Sequence, residues 1–181
     1  NLSLGIKNIL YISTEFPPGP GGIGNHTWNL SRKLNNSIPV HVLTVSDYAD
    51  KNQCIIFDNK EKMYVYRFNK YKLSLITYLQ RIFDIVLHLR KNRYSHCILS
   101  GKFSLYISLI VRLFSSNTRQ IGILHGSELL PSTRISSLLL IKSLKSLDIA
   151  ISVSGYTNKL IPNNSINNSQ RYIVPNGVNI E

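Results

Sequence analysis

The fold is decided by residues 8–34, which read NILYISTEFPPGPGGIGNHTWNLSRKL. Residues 8–14 are mostly apolar β-formers followed by turn residues, as in a buried strand. A loop rich in proline and glycine comes next, and apolar residues then recur at helical spacing from Gly22 to Leu34. The stretch therefore predicts a strand, a glycine-rich loop and a helix in direct succession.

The same alternation continues to the end of the chain. A second strand is predicted at Val40–Val45 and the longest helix at Ser74–Arg90. Further strands are predicted at 54–57, 63–68, 97–100, 119–124, 147–153 and 172–174, and further helices at 104–114, at 135–146 and from 154. Such alternation indicates an α/β, doubly wound domain, with a mostly parallel sheet and helices on both of its faces. We expect residues 1–181 to form one domain of this kind.

Length and composition fit a single globular domain. The 181 residues are 43% hydrophobic and 17% charged, which is enough for a core of its own. The longest apolar runs fall short of the roughly 20 residues that span a bilayer. The first residues lack the pattern of a secretory signal, and the spacing of Cys54 and Cys97 suggests neither a metal site nor a disulfide framework. A cytoplasmic protein with reduced cysteines is expected.

The charge of the chain is strongly positive. A formal net charge of +12 points to an anionic partner, which could be nucleic acid, an acidic membrane surface or a phosphorylated substrate. Basic residues are scattered, with modest density at 60–72 and 90–93, and no nucleic-acid-binding motif is present. We therefore do not expect nucleic acid as a partner.

Ligands of doubly wound domains bind at the carboxyl ends of the strands. The glycines of residues 19–24 follow the first strand, and their backbone could approach an anion at the start of a helix, although such a loop could equally be a plain turn. His125 to Glu128, with the sequence HGSE, follows another strand. There is no Asp-x-Asp pair of the kind that holds a divalent metal on a diphosphate. Neither a metal nor a cofactor is expected.

A dinucleotide site is the first alternative. Gly19, Gly21 and Gly24 fit the spacing G-x-G-x-x-G, and Asp47 lies where a ribose-binding acid would be. That motif places its first glycine directly after the strand, whereas residues 15–18 intervene here. A nicotinamide- or flavin-binding oxidoreductase domain is therefore the less favoured hypothesis.

Several motifs together resemble those of a known family. They are ILYISTEFPP at 9–18, GGIG at 21–24, HGSE at 125–128, VSGYT at 153–157 and VPNGV at 174–178. In this order they are similar to the amino-terminal domain of retaining GT-B glycosyltransferases of family 4. Each motif is weak by itself, but their joint occurrence over nearly the whole chain is quite specific.

The resemblance implies a role for each motif. This domain would mainly bind the acceptor, and a carboxyl-terminal domain that follows Glu181 would bind the nucleotide sugar. His125 would hydrogen-bond the transferred sugar near the reacting carbon and is the catalytic candidate. The other residues implied for donor-phosphate or substrate binding are Gly21, Gly22, Gly24, Gly126 and Glu128, and those implied for the hinge are Asn176 and Gly177.

The resemblance also implies a reaction. A sugar would pass from a nucleotide sugar to a glycan or lipid-linked acceptor with retention, by front-face attack in which the leaving diphosphate takes the acceptor's proton. The expected setting is the synthesis of a surface polysaccharide or glycolipid in the cytoplasm or on the inner face of the cell membrane. Residues 1–181 alone would be inactive.

The helix predicted at 74–90 allows a further alternative. Its apolar stripe consists of Leu75, Leu79, Ile82, Val86 and Leu89, and its opposite stripe of Thr77, Arg81, Asp84 and His88. Basic and apolar residues between Lys70 and Tyr94 have the ingredients of a surface that docks on an anionic membrane. The favoured interpretation is that the apolar stripe packs on the sheet. A non-enzymatic module that binds anions or membranes stays open as a second alternative.

Overall fold

The computed structural model describes residues 8–46 and 49–177. The strands are β1 (Asn8–Ser13), β2 (Val40–Val45), β3 (Tyr64–Phe68), β4 (Tyr94–Ser100), β5 (Arg119–Leu124), β6 (Ile149–Ser152) and β7 (Arg171–Ile173). The α-helices are α1 (Gly22–Asn35), α2 (Lys51–Asp58), α3 (Ser74–Lys91), α4 (Lys102–Phe114), α5 (Arg134–Ser146) and α6 (Gly155–Lys159). Short 3₁₀ turns lie at Ser127–Leu129 and Asn168–Gln170.

The strands form one parallel sheet, and the order in which successive strands are added reverses at its centre. Their order in the described chain is β3-β2-β1-β4-β5-β6-β7, and all six neighbouring pairs are parallel. Strand order therefore runs outward in both directions from the pair β1 and β4, which is the arrangement that opens a crevice at the carboxyl ends of those strands. The predicted doubly wound α/β fold is confirmed.

Both faces of the sheet are buried. Leu10 and Ile12 of β1 belong to a core that includes residues of α3, α4 and α5, whereas Ile9 and Tyr11 belong to a second core with residues of α1 and α2. Because side chains alternate along a strand, a strand covered on both faces reads as a continuous apolar run. This explains why β1 was recognisable in the sequence.

One predicted strand is wrong. The residues from Cys54 to Phe57 lie in helix α2, not in a strand. The carboxylate of Asp50 accepts hydrogen bonds from the amides of Asn52 at 2.9 Å and Gln53 at 3.3 Å, which is the geometry of a helix cap. The run of four apolar residues is too short to tell a strand from a helix, and the cap decides between them.

The predicted inward face of α3 is wrong near the start of the helix only, since Leu89 of the predicted stripe lies in the core and Ile82 packs against that core. Leu75 is 70% exposed and Leu79 is 58% exposed, whereas Thr77, Arg81 and Asp84, predicted to face outward, are at most 7% exposed. Asp84 accepts hydrogen bonds from the Tyr66 hydroxyl at 2.9 Å and from Gln80 at 3.0 Å, so that its burial is compensated. The helix thus turns a partly polar face to the sheet and leaves its apolar stripe exposed at Leu75 and Leu79.

Two further features of the described residues are the lengths of the helices and the state of the two cysteines. No helix among the described residues is long and apolar enough to cross a membrane. Cys54 and Cys97 are both buried free thiols, and burial raises the pKa of each.

Candidate functional site

The candidate site lies where β1, β4 and β5 end. Register places Ser13 of β1 beside Ser100 of β4, and Ser100 beside Ile123 of β5. The residues that follow these strands therefore share one edge of the sheet. Across this edge the hydroxyl of Ser100 lies 3.0 Å from Nε2 of His125. The sheet itself thus positions His125 at the central crevice.

The loop that carries His125 is held by the side chain of Glu128. Its carboxylate accepts hydrogen bonds from the amide of His125 at 2.6 Å and from the amide of Gly126 at 3.2 Å. Gly126 has φ +119, a backbone conformation that favours glycine, and this lets the chain turn sharply after the strand. Glu128 is only 2% exposed. The geometry gives Glu128 and Gly126 a positioning role beside His125, and direct contact of either with a substrate stays a prediction.

A second histidine faces His125 and was missed in the sequence. The ring of His26, on α1, lies edge-on to the ring of His125 with centroids 5.4 Å apart. The signal that could have found it is its spacing, because His26 is four residues after Gly22 and so shares that face of the helix. The pair places α1 directly against the His125 loop.

Burial keeps these two rings neutral. Desolvation, with a smaller contribution from the charge of His26, lowers the pKa of His125 to about 4. Desolvation also lowers the pKa of His26. At pH 7 His125 is therefore an uncharged ring that can donate one hydrogen bond and accept another.

The glycine loop ends at the start of α1. Gly21 precedes the helix with φ +145, and a Cβ at this position would lie 2.0 Å from a carboxylate oxygen of Glu15. That same oxygen accepts a hydrogen bond from the amide of Gly24 at 3.3 Å. An anionic group of the chain itself therefore lies at the amino-terminal end of α1, where partial positive charge favours it. Gly22 is exposed beside it, with open space around its Cα.

Arg67 of β3 fixes the other end of this loop. Its guanidinium makes two hydrogen bonds of 2.8 Å to the carboxylate of Asp58 and also donates to the carbonyl oxygen of Pro17. The planar pairing of Arg67 with Asp58 leaves little freedom to the guanidinium. The loop is thus tied to the sheet before its glycines begin, which is a contact that sequence reasoning did not anticipate.

The predicted hinge residues reach the same region. Asn176 and Gly177 line a cavity of about 430 Å³ together with Gly22 and His26. The structure therefore brings together Gly22, His125 and the Asn-Gly turn, with His26 between them. Asp47, on which the dinucleotide hypothesis depends, lies outside the described residues.

The described residues contain no preformed metal site. In residues 8–46 and 49–177, no three histidine, cysteine or acidic side chains are close enough together to hold a metal ion. The lack of an Asp-x-Asp pair predicts a metal-independent reaction, and this stays a prediction.

Solved structures show where else this fold occurs. The apo form of the lipopolysaccharide outer core galactosyltransferase WaaB matches with a TM-score of 0.71 and 16% identity, over 96% of this chain and 47% of that one. HepE of Anabaena, in complex with UDP and glucose, matches with a TM-score of 0.70 and 14% identity, over 96% and 45% of the two chains. The UDP-GlcNAc 2-epimerase of Methanocaldococcus jannaschii matches with a TM-score of 0.63 and 12% identity, over 91% and 45%.

These likenesses show the fold alone. The chain spans about half the length of the solved structures it matches. No curated protein sequence matches it. Residues 20–181 match the sequence profile of Glycosyltransferase Family 4, and this covers far more than half of the chain. The chain belongs to Glycosyltransferase Family 4 and has the fold of a GT-B amino-terminal domain.

Proposed function

We propose that this chain is the acceptor-side domain of a glycosyltransferase that moves a sugar, with retention, from a nucleotide sugar to a glycan or lipid-linked acceptor. The observation that carries the proposal is the placement of a neutral His125 at the central crevice, beside α1 and its exposed Gly22. A neutral imidazole can hydrogen-bond a sugar hydroxyl without adding a charge to the site.

The donor would be held from the opposite side of the crevice. We place the nucleotide sugar on a carboxyl-terminal domain outside residues 1–181, with Asn176 and Gly177 as the hinge and Gly21 and Gly22 facing the diphosphate. Gly24, also predicted to bind phosphate, is buried and its amide donates to Glu15, so that it serves the loop instead. The half-length coverage of the matching structures supports this division. HepE is in complex with UDP and glucose, which supports a nucleotide sugar as donor. Without that domain the chain is expected to be inactive.

The proposed chemistry needs few groups from this domain. The leaving diphosphate takes the proton of the acceptor hydroxyl as that hydroxyl attacks from the same face. His125 orients the transferred sugar, and the crevice between the domains excludes water, which strengthens each polar contact. Synthesis of a surface polysaccharide or glycolipid at the cytoplasmic face of a membrane is the setting that we propose.

The proposal is tested with the full-length protein. We expect it to release a nucleoside diphosphate from one nucleotide sugar when a glycan or lipid-linked acceptor is present, at a rate that a metal chelator leaves unchanged. NMR of the product should show the donor's anomeric configuration. An inverted product would contradict retention. Tight binding of NAD(H) or FAD, seen by fluorescence or absorbance, together with no transfer would instead favour the oxidoreductase alternative.

A second part of the proposal concerns an anionic membrane. The amino-terminal ends of α3 and α5 lie on the carboxyl side of the sheet and expose Leu75, Leu79 and Ile135 at 58–73%. Exposed cations stand beside them at Lys70, Lys72, Lys102 and Arg134. Apolar side chains next to basic ones fit the boundary of an anionic bilayer, and Leu75 and Leu79 are available for such contact because they do not pack on the sheet.

Membrane docking predicts a selective loss on substitution. Replacing Leu75 and Leu79 together with serine should weaken binding to vesicles that contain phosphatidylglycerol by about 10-fold or more, because each leucine loses its burial in the lipid. Sedimentation of the protein with vesicles measures this. Leu113→Ser is the matched control. Leu113 is 74% exposed and lies near the carboxyl-terminal end of α4, whereas Leu75 and Leu79 lie near the amino-terminal end of α3. Equal binding by both variants would contradict the docking surface.

A further inference from the structure

His26 is a residue of the crevice to which the proposed function assigns no role. It lies on α1 four residues after Gly22, and both residues line the cavity of about 430 Å³ that reaches Asn176 and Gly177. Four residues of helix rise by about 6 Å, and a helical side chain leans back toward the amino-terminal end of its helix. A group that approaches Gly22 is therefore within reach of the His26 ring.

The backbone at the start of α1 offers few free amides to an incoming anion. The amide of Gly24 donates to the carboxylate of Glu15 at 3.3 Å, and the amide of Asn25 donates to the carbonyl oxygen of Gly21 at 3.1 Å. The carboxylate of Glu15 also lies close to Gly21, where its negative charge would repel a diphosphate. A diphosphate held at this place therefore needs a hydrogen bond from a side chain as well.

The ring of His26 can supply that hydrogen bond. Among the described residues, its Nδ1 is buried and has no hydrogen-bond partner, whereas its Nε2 is not one of the buried unpaired atoms. Burial lowers the pKa of His26, so that the ring is neutral at pH 7 and carries a single proton. Because Nδ1 meets no acceptor, the proton is better placed on Nε2, where a ligand can accept the hydrogen bond.

The charges of the cavity favour an anionic ligand. Lys33 is the only charged side chain among the described residues that line it, and no carboxylate lines it. The ring of His26 also contacts the ring of His125, with centroids 5.4 Å apart, and His125 is the residue proposed for the transferred sugar. His26 thus lies between the place proposed for the sugar and the place proposed for the diphosphate.

We infer that His26 donates a hydrogen bond to the diphosphate of the nucleotide sugar, next to the sugar that His125 orients. This inference rests on the proposed function and adds a side chain to a donor site otherwise assigned to glycines. The hydrogen bond opposes the repulsion from Glu15. It also strengthens as the bond to the sugar breaks, because negative charge then grows on the leaving diphosphate.

Binding is measured by calorimetry on the full-length protein without an acceptor, so that it does not depend on transfer. The probes are UDP, GDP, ADP and dTDP, and the one that binds most tightly is compared with its own nucleoside, measured by competition. We expect His26→Ala to weaken binding of the nucleoside diphosphate by about 10-fold or more, because a hydrogen bond to a charged group is lost. Binding of the nucleoside should stay within about 2-fold. An unchanged affinity for the diphosphate, or equal losses for the two probes, would overturn the inference.

Two further variants separate the hydrogen bond from the packing of the ring. His26→Gln should bind the nucleoside diphosphate within about 3-fold of the original protein, because the glutamine amide can donate from about the position of Nε2. His26→Phe keeps an aromatic ring against His125 but has no donor, so that it should lose as much binding as His26→Ala. The matched control is His96→Ala, on β4 away from the crevice, which should bind within about 2-fold. Full binding by His26→Phe, or an equal loss in His96→Ala, would overturn the assignment.

The binding measurement and the transfer assay test the two proposals separately. A protein that binds a nucleoside diphosphate through His26 but transfers no sugar would keep the inference and overturn the proposed function. Sugar transfer by a protein whose diphosphate binding does not depend on His26 would overturn the inference and leave the proposed function standing. Binding of none of the four probes would overturn both.

Discussion

Replacing His125 with alanine is expected to lower the turnover of the full-length protein on the order of 100-fold, comparable to the loss of one polar contact that acts in a transition state. The fold should survive, because the described contacts that the ring loses are the hydrogen bond to Ser100 and the packing against His26. A loss of about 1 kcal/mol would lower the melting temperature by only about 2–4 °C. Initial rates at saturating donor and acceptor, with thermal melts, measure both effects.

His96→Ala is the matched control for this variant. His96 lies on β4 near the amino end of the strand, away from the candidate site, and hydrogen-bonds only Ser95 among the described residues. Its replacement should leave turnover within about 2-fold of the original value, as expected of surface positions outside the site. Wild-type rates in His125→Ala, or equal losses in both variants, would remove His125 from the active site.

The pH dependence gives an independent readout of His125. Its pKa of about 4 lies below the ordinary 6.5, so that the neutral ring persists well into the acid range. The contribution of His125 to turnover should therefore be constant from about pH 8 down to pH 5.5 and fall as the pH approaches 4. An acid limb with a pKa near 6.5 that disappears in His125→Asn would contradict a buried, neutral ring.

The same shift makes stability depend on pH. The folded-state pKa of His125 is lower than its unfolded value, so that the unfolded chain binds more protons between these two values. The contribution of the neutral ring to stability is therefore present above about pH 6.5 and is lost as the pH falls toward 4. His26 and His41 add to this slope in the same direction, because burial lowers the pKa of each.

Strong local patterns made the centre of the fold predictable. The run at β1, the glycine loop and the apolar spacing of α1 agree with one another, and the structure follows them to within a residue or two. The topology then brings the ends of β4 and β5 beside β1. Sequence position at strand ends was therefore enough to predict that His125 lies at this edge of the sheet.

The features that sequence did not reveal depend on tertiary contacts. The face of α3 is decided by Asp84, whose buried carboxylate is compensated by the Tyr66 hydroxyl from β3 and by Gln80. No property of the helix alone shows that this partner exists. In the same way, Glu128 turns its carboxylate back to the amides of its own loop, and Arg67 reaches the proline loop from a strand that lies far away in the sequence.

Substitutions in the glycine loop are expected to have the second large effect on activity. Gly22 and Gly21 can be replaced separately to tell contact with the donor from a change in the loop itself. Gly22 is the first residue of α1, and a Cβ there would meet no atom within 4 Å. Gly22→Ala should therefore fold normally and even gain about 0.5–1 kcal/mol of stability, since alanine is the better helix former. If the donor diphosphate approaches this point, the added methyl group should lower kcat/KM for the donor by about 10- to 100-fold through misplacement of the donor.

Gly21→Ala should behave differently, because it changes the loop itself. Its φ of +145 strains any other residue, and its Cβ would displace the carboxylate of Glu15 from the start of α1. We expect lower stability together with lower activity in this variant. Gly155→Ala is the control for Gly22→Ala, since Gly155 also begins a helix in open space. A Gly22→Ala protein with an unchanged donor KM and kcat would show that the loop does not face the diphosphate, and its glycines would then serve the turn alone.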